Sequence, residues 1–141
     1  MENPVGFKLT HIITVQFAAI EQAYKGDEMA TNLAFNFRFE DNKEEQTILA
    51  STAFSFVHES PFLVIEAACY FKFAPESWKE LIDANGKVVI PTKIANHLLV
   101  LTIGTTRGVL HTKTEGTKYN KFILPTINVA DIVKDNVLIL E

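Results

Sequence analysis

The chain has 141 residues, 48% hydrophobic and 21% charged, with a formal net charge of −4 and 11 phenylalanines. That balance excludes a disordered polymer, and the lack of a basic stripe excludes a general nucleic-acid binder, which must neutralise phosphates. One cysteine, Cys69, excludes an internal disulfide and suits a reducing compartment.

The start, Met1-Glu2-Asn3-Pro4, lacks a basic region followed by an apolar core, and no run approaches ~18 continuous apolar residues. The expectation is a soluble, cytoplasmic chain without membrane insertion, folded as one domain over 1–141. From Phe7 to Ile20 the alternation places Phe7, Leu9, His11, Ile13, Val15 and Phe17 on one face of a first strand. Gly26-Asp27 marks the turn that ends it. Phe35, Phe37 and Phe39 then alternate with Asn36, Arg38 and Glu40, a strand with one dry face and one wet face.

The charged stretch 41–45 is a hairpin loop. Beyond it Ile48, Ala50, Thr52, Phe54 and Phe56 share one face of a third strand. His58 to Pro61 is the next break, because Pro61 cannot donate to a ladder. The fourth strand, 62–73, sets Leu63, Ile65, Ala67, Cys69, Phe71 and Phe73 on one face. Consecutive antiparallel strands usually pair, so the default is a four-stranded meander. The third and fourth strands carry apolar residues on both faces, so both faces need cover from a helix, a second subunit or an apolar ligand.

Pro75 to Ile82 predicts a short helix, with proline in its first turn and Trp78, Leu81 and Ile82 apolar. Residues 87–90 form an extended connector. Pro91 to about Lys113 predicts one long helix with Ile94, Leu98, Leu101, Thr105 and Val109 as its apolar stripe and Leu99, Ile103 and Leu110 alongside. Gly104 and Gly108, four apart, share one side of it, and each costs ~1 kcal/mol against alanine unless close packing requires it. The tail around Phe122 to Val129 is too apolar to stay in water and should pack back onto the body. The fold class is therefore α+β: an antiparallel sheet, a short helix and a long helix.

No catalytic constellation emerges. His11, His58, His97 and His111 have no metal-ligand spacing, and Cys69 sits inside an apolar strand where a thiol is inert packing. Ser51 and Ser55 lack a nucleophile elbow. The stretch Gly104 to Gly108 lacks the lysine of a phosphate loop, and the carboxylates Glu40, Asp41, Glu44 and Glu45 form a solvated loop. The expectation is a binding protein rather than an enzyme, with no metal and no cofactor.

The order of these elements over about residues 7–133, together with two local matches, resembles the SecB family of export chaperones. Leu124-Pro125-Thr126-Ile127-Asn128-Val129 is similar to the Leu-Pro-Pro-x-Asn-Phe signature that follows the family's long helix. Phe62 to Glu66, closed by Tyr70-Phe71-Lys72-Phe73, is similar to the strand before its short helix. The resemblance implies a homotetramer, a dimer of dimers with long helices packed between two sheets. It also implies nucleotide-independent holding of unfolded polypeptides in hydrophobic grooves for transfer to the motor SecA. The departures weigh against SecA. Residues 101–107 keep only Leu101 and a nearby Arg107 of the family's long-helix motif, Val129 replaces the final phenylalanine, and no acidic tail precedes Glu141. A divergent relative with a dedicated client fits better; some such relatives chaperone an antitoxin, but no residue here names the client.

On that reading the candidate client-binding residues are Phe35, Phe37, Phe54, Phe56 and Tyr70, with Trp78 near the lip, and the candidate oligomer interface is Leu101, Gly104, Gly108 and Val109. For each aromatic the competing reading is plain core, which exposure in the folded chain decides. Two alternatives stay open. One is a structural homo-oligomer or interaction domain whose second apolar face is consumed by subunit contacts. The other is a hotdog-type thioesterase, whose helix however sits early among the strands rather than after the sheet.

Overall fold

The computed structural model describes residues 6–139. Strands β1 (Phe7–Ala19), β2 (Asn32–Asn42), β3 (Thr47–Val57) and β4 (Pro61–Phe73) form one antiparallel sheet in the order β1-β4-β3-β2. Helices α1 (Pro75–Leu81) and α2 (Thr92–Thr114) follow, and a small sheet pairs β5 (Val89–Ile90) with β6 (Val137–Leu138). The α+β class holds. The full meander does not, because β1 lies beside β4 rather than β2. A tight hairpin needs a loop of roughly 2–5 residues, whereas the connection 20–31 is longer and carries its own 3-10 turn at Glu21–Ala23. It crosses the sheet end, so β2-β3-β4 form the meander and β1 adds to β4 in Greek-key order.

The facing of β1 also departs from simple alternation. Phe7 opposes Phe73 and Leu9 opposes Phe71, but Thr10 is an extra residue, so His11 opposes Tyr70, Ile12 opposes Cys69 and Ile13 opposes Ala68. Val15 is the second extra residue, after which Gln16 opposes Glu66 and Phe17 opposes Ile65. The two bulges invert the middle of the strand. Phe7, Leu9, Ile12, Thr14 and Phe17 therefore share the face of Phe71, Cys69 and Ile65, while His11 and Ile13 turn to the opposite face. The Thr10 hydroxyl anchors the first bulge by donating to the Tyr70 carbonyl at 3.2 Å.

Helix α2 lies across β3 and β4, on the face that carries Phe54, Ile65 and Phe71, all fully buried. The predicted bounds of the helix hold to within a residue, and Gly116, with φ of 77°, takes the left-handed turn just beyond it. Its buried face is rotated from the predicted stripe toward Leu99, Ile103 and Leu110, the apolar residues alongside it. Thr102, Thr106 and Thr114 are buried beside Leu98, Leu99, Ile103 and Leu110, while Leu101 is 39% exposed. The three threonines return their hydroxyls to the carbonyls of Leu98, Thr102 and Leu110 at 2.7–2.9 Å, which hides their polarity within the helix. Thr106 Oγ1 also meets Thr52 Oγ1 of β3 at 2.7 Å, a buried polar contact that sets the helix in register on the sheet. At the other end the first turn is capped from a distance, since Asn136 Oδ1 accepts from the Thr92 amide at 3.0 Å and its hydroxyl at 3.1 Å.

The tail packs back as the apolar run 122–129 requires: Leu124 and Val129 are buried. Arg107 of α2 holds it, donating to the carbonyls of Leu124 at 3.0 Å and Pro125 at 2.9 Å.

Candidate functional site

The sheet is wider than the helix that covers it. On the helix side of β2, Phe35, Phe37 and Phe39 are half-buried and Leu33, at 37% exposed, extends their row. The strand positions them, because residues two apart point the same way at roughly 7 Å spacing. Phe35 stacks on Phe37 at 6.0 Å between ring centroids, and Phe37 meets Phe39 edge to face at 5.9 Å. Phe35 also touches Phe54 at 4.7 Å, which roots the row in the core. β2 is an edge strand, so a row of main-chain hydrogen-bonding groups runs beside these rings.

On the other flank β1 and α2 leave a second apolar surface. Ile12 is 53% exposed, and an open groove of about 490 Å³ runs between Ile12 and Thr14 on β1 and Gly108 and Val109 on α2. Among the described residues, nothing beyond the helix's own backbone lies within 4 Å of a Cβ placed on Gly104 or Gly108. The face of the sheet away from α2 holds a further cleft of about 590 Å³, lined by His11, Ile13, Tyr70 and Lys72 among others. Beside it Glu66 accepts from Ser51 Oγ at 2.6 Å and lies 3.6 Å from Arg38 Nε.

These placements divide the six aromatics read from the sequence. Phe54, Phe56 and Trp78 are buried core residues in the folded chain: Phe54 beneath α2, Phe56 against Phe122 at 5.4 Å, and Trp78 against Phe73 at 6.2 Å. Phe35 and Phe37 belong to the half-exposed row, and Tyr70 lies on the opposite face of the sheet beside His11. Leu33 and Phe39 lie outside the candidate set, although both fall in the same alternating frame as Phe35 and Phe37 and complete the row. Leu101, Gly104 and Gly108 are exposed and Val109 is half-buried. They form one continuous side of α2.

The chain is similar to a solved structure, the SecB-like chaperone Rv1957 of Mycobacterium tuberculosis in complex with a ChAD peptide from the HigA1 antitoxin Rv1956. The likeness has a TM-score of 0.50 at 9% identity and spans 86% of this chain and 91% of that one. The fold is SecB-like. No family model matches the sequence, and no curated protein does.

In this SecB-like fold the ionisable groups cluster away from the aromatic row, where the connection 20–31 meets the tail. Glu21 bonds Lys118 and accepts from Tyr119 Oη at 2.8 Å, and Asp27 bonds Lys121 and Tyr24 Oη. The Lys118 hydrogen bond, then that of Tyr119, holds the Glu21 carboxyl below its ordinary range; Lys121, then Tyr24, does the same for Asp27. Burial, reinforced by the bond to Glu21, pushes Tyr119 up to about 12. Among the described residues no three His, Cys, Asp or Glu side chains converge as metal ligands, and no helix is long and apolar enough to cross a membrane.

Proposed function

We propose that this chain is a divergent SecB-family chaperone that holds extended, apolar polypeptide segments without nucleotide. The observation that carries this reading is the row Leu33, Phe35, Phe37 and Phe39, left half-open on an edge strand of a SecB-like fold. An extended segment with apolar side chains at alternate positions matches both features: its side chains meet the rings and its main chain faces the strand edge. That the similar Mycobacterium tuberculosis protein is solved with an antitoxin peptide supports a polypeptide client, and a dedicated one.

The β1 and α2 flank takes a different role in this reading. It packs against further copies of the same chain, with Leu101, Gly104, Gly108 and Val109 at the contact, in a dimer of dimers. The whole chain acts as one cytoplasmic domain, independent of SecA. It is a binding protein and not an enzyme.

Suppression of aggregation of a chemically unfolded protein, measured without nucleotide and with assembly mass recorded on the same sample, tests the reading. Suppression by the wild type and its loss in Phe35→Ser and Phe37→Ser, with assembly mass and circular dichroism unchanged, is the expected result. A well-folded assembly that neither suppresses aggregation nor binds an apolar peptide overturns it and leaves a structural homo-oligomer, the reading that the open side of α2 favours.

A further inference from the structure

The connection 20–31 lies as a strap over an aromatic box. Tyr24 is the centre of the strap, with its ring 5.2 Å from Phe62, 5.4 Å from His58, 5.5 Å from Tyr119 and 6.2 Å from Phe122. Phe62 is fully buried beneath it. Phe122 leads on to Phe56 at 5.4 Å, and the cross-strand partner of Phe56 is Leu33, the first residue of the half-open row. The box is thus the covered continuation of that row.

Several ties hold the strap down: the Ile20 amide donates to the Phe62 carbonyl at 2.7 Å, and Tyr119 Oη donates to Glu21 at 2.8 Å. The pairs Glu21 with Lys118 and Asp27 with Lys121 join it to the tail, but all four side chains are largely exposed, where ion pairs contribute little. A further sheltered tie, near the middle of the strap, is made by His58. His58, on the turn between β3 and β4 and 8% exposed, accepts from the Lys25 amide at Nδ1 at 2.9 Å, and its Nε2 lies 3.1 Å from Thr31 Oγ1. An amide only donates, so Nδ1 must carry its lone pair and the ring proton belongs on Nε2, where it donates to Thr31. A second proton would set Nδ1–H against N–H, two donors facing each other, and would leave the Lys25 amide without its acceptor.

We propose that His58 is an acid-sensitive latch: its protonation frees the 20–31 strap and uncovers the Phe62, Tyr119 and Phe122 box. The further step, that the uncovered box lengthens the client groove at its Leu33 end, rests on the function proposed above. The charged and titratable neighbours are Glu59 on the same turn, Glu21, Tyr24, Lys25, Asp27 and Glu28 on the strap, and Lys118, Tyr119 and Lys121 on the tail. Lys118 and Lys121 lie 5.0 and 5.7 Å from the centroid of the Tyr24 ring, so a cationic imidazole beside that ring joins two ammonium groups. The Glu21 and Asp27 carboxylates, already engaged by those lysines, stay charged as the pH falls.

Hydrogen exchange at about pH 8 and about pH 5.5, corrected for its intrinsic pH dependence, reads the latch without any client. In the wild type, strap peptides should lose protection about tenfold or more in acid while those of β3, β4 and α2 keep theirs. His58→Asn places a non-titrating acceptor oxygen near the Nδ1 position and should stay protected at both values. Equal wild-type protection at both values, or an Asn variant that opens as the wild type does, overturns the latch. Should that variant fail to fold, the wild type alone decides by NMR: the His58 ring and the Lys25 amide must titrate together, and separate curves overturn the proposal. Peptide affinity on the same samples isolates the second step. A gain in acid confined to the wild type supports the longer groove; strap opening with no gain overturns that extension while leaving the latch in place.

Discussion

Tyr119 shows how one side chain ties two distant segments through chemistry that pH can reach. Its hydroxyl donates to Glu21 and its ring is buried against Phe62 and Tyr24, so the protonated form is the one the fold holds. Because its pKa rises to about 12, the folded chain retains a proton that the unfolded chain releases near pH 10. Unfolding therefore becomes easier as pH climbs from about 10 to about 12, and the contribution is fully present below that window. Urea midpoints across this range should fall more steeply for the wild type than for Tyr119→Phe, which has no phenol to ionise. At this scale the sequence is least legible. Phe54 and Phe35 stand in equally regular alternation, yet one is sealed beneath α2 and the other is half-open, because burial depends on which strand the helix crosses. His58 gives no signal at all, since its partners Lys25 and Thr31 are far off in the chain and contribute a backbone amide and a hydroxyl.

Among the elements, α2 was legible in extent and in part of its rotation: Leu98, Leu99, Ile103 and Leu110 are buried as their apolar spacing requires, whereas Leu101 is not. Proline at its start and glycine beyond its end set the bounds, and these act locally. Its facing depends on threonines that bond back to their own helix, so a hydrophobicity count places Leu101 inside and Thr102 outside, the reverse of what the fold does. The cap supplied by Asn136 is equally invisible to a local reading. The outward side that results, Leu101, Gly104 and Gly108, gives the glycines no packing reason among the described residues, because open space faces both. Each should cost roughly 1 kcal/mol of helix stability unless another backbone approaches. Gly104→Leu should consequently leave the circular dichroism of the single chain intact while reducing assembly mass in light scattering. An unchanged mass would remove the glycines from the contact.

For the whole molecule, the class of fold followed from alternation and punctuation, while strand order did not, because the long connection 20–31 carries β1 past its sequence neighbour to pair with β4. The result is a sheet covered by one helix over its middle strands and only partly covered along both flanks. On the proposed packing of one flank against further copies, stability is gained by mass action, and the melting temperature should rise with protein concentration. A tenfold dilution that leaves it unchanged would point to a monomer. The bulges at Thr10 and Val15 have a consequence for kinship. Each inserts one residue that has no partner on β4, so a relative lacking either one would keep every other residue of the strand on its present face. Two such chains aligned without a gap would have inward positions matched against outward ones from the missing residue onward, and true descent would register as mismatch. Similarity along this strand is better scored by partner on β4 than by count along the chain.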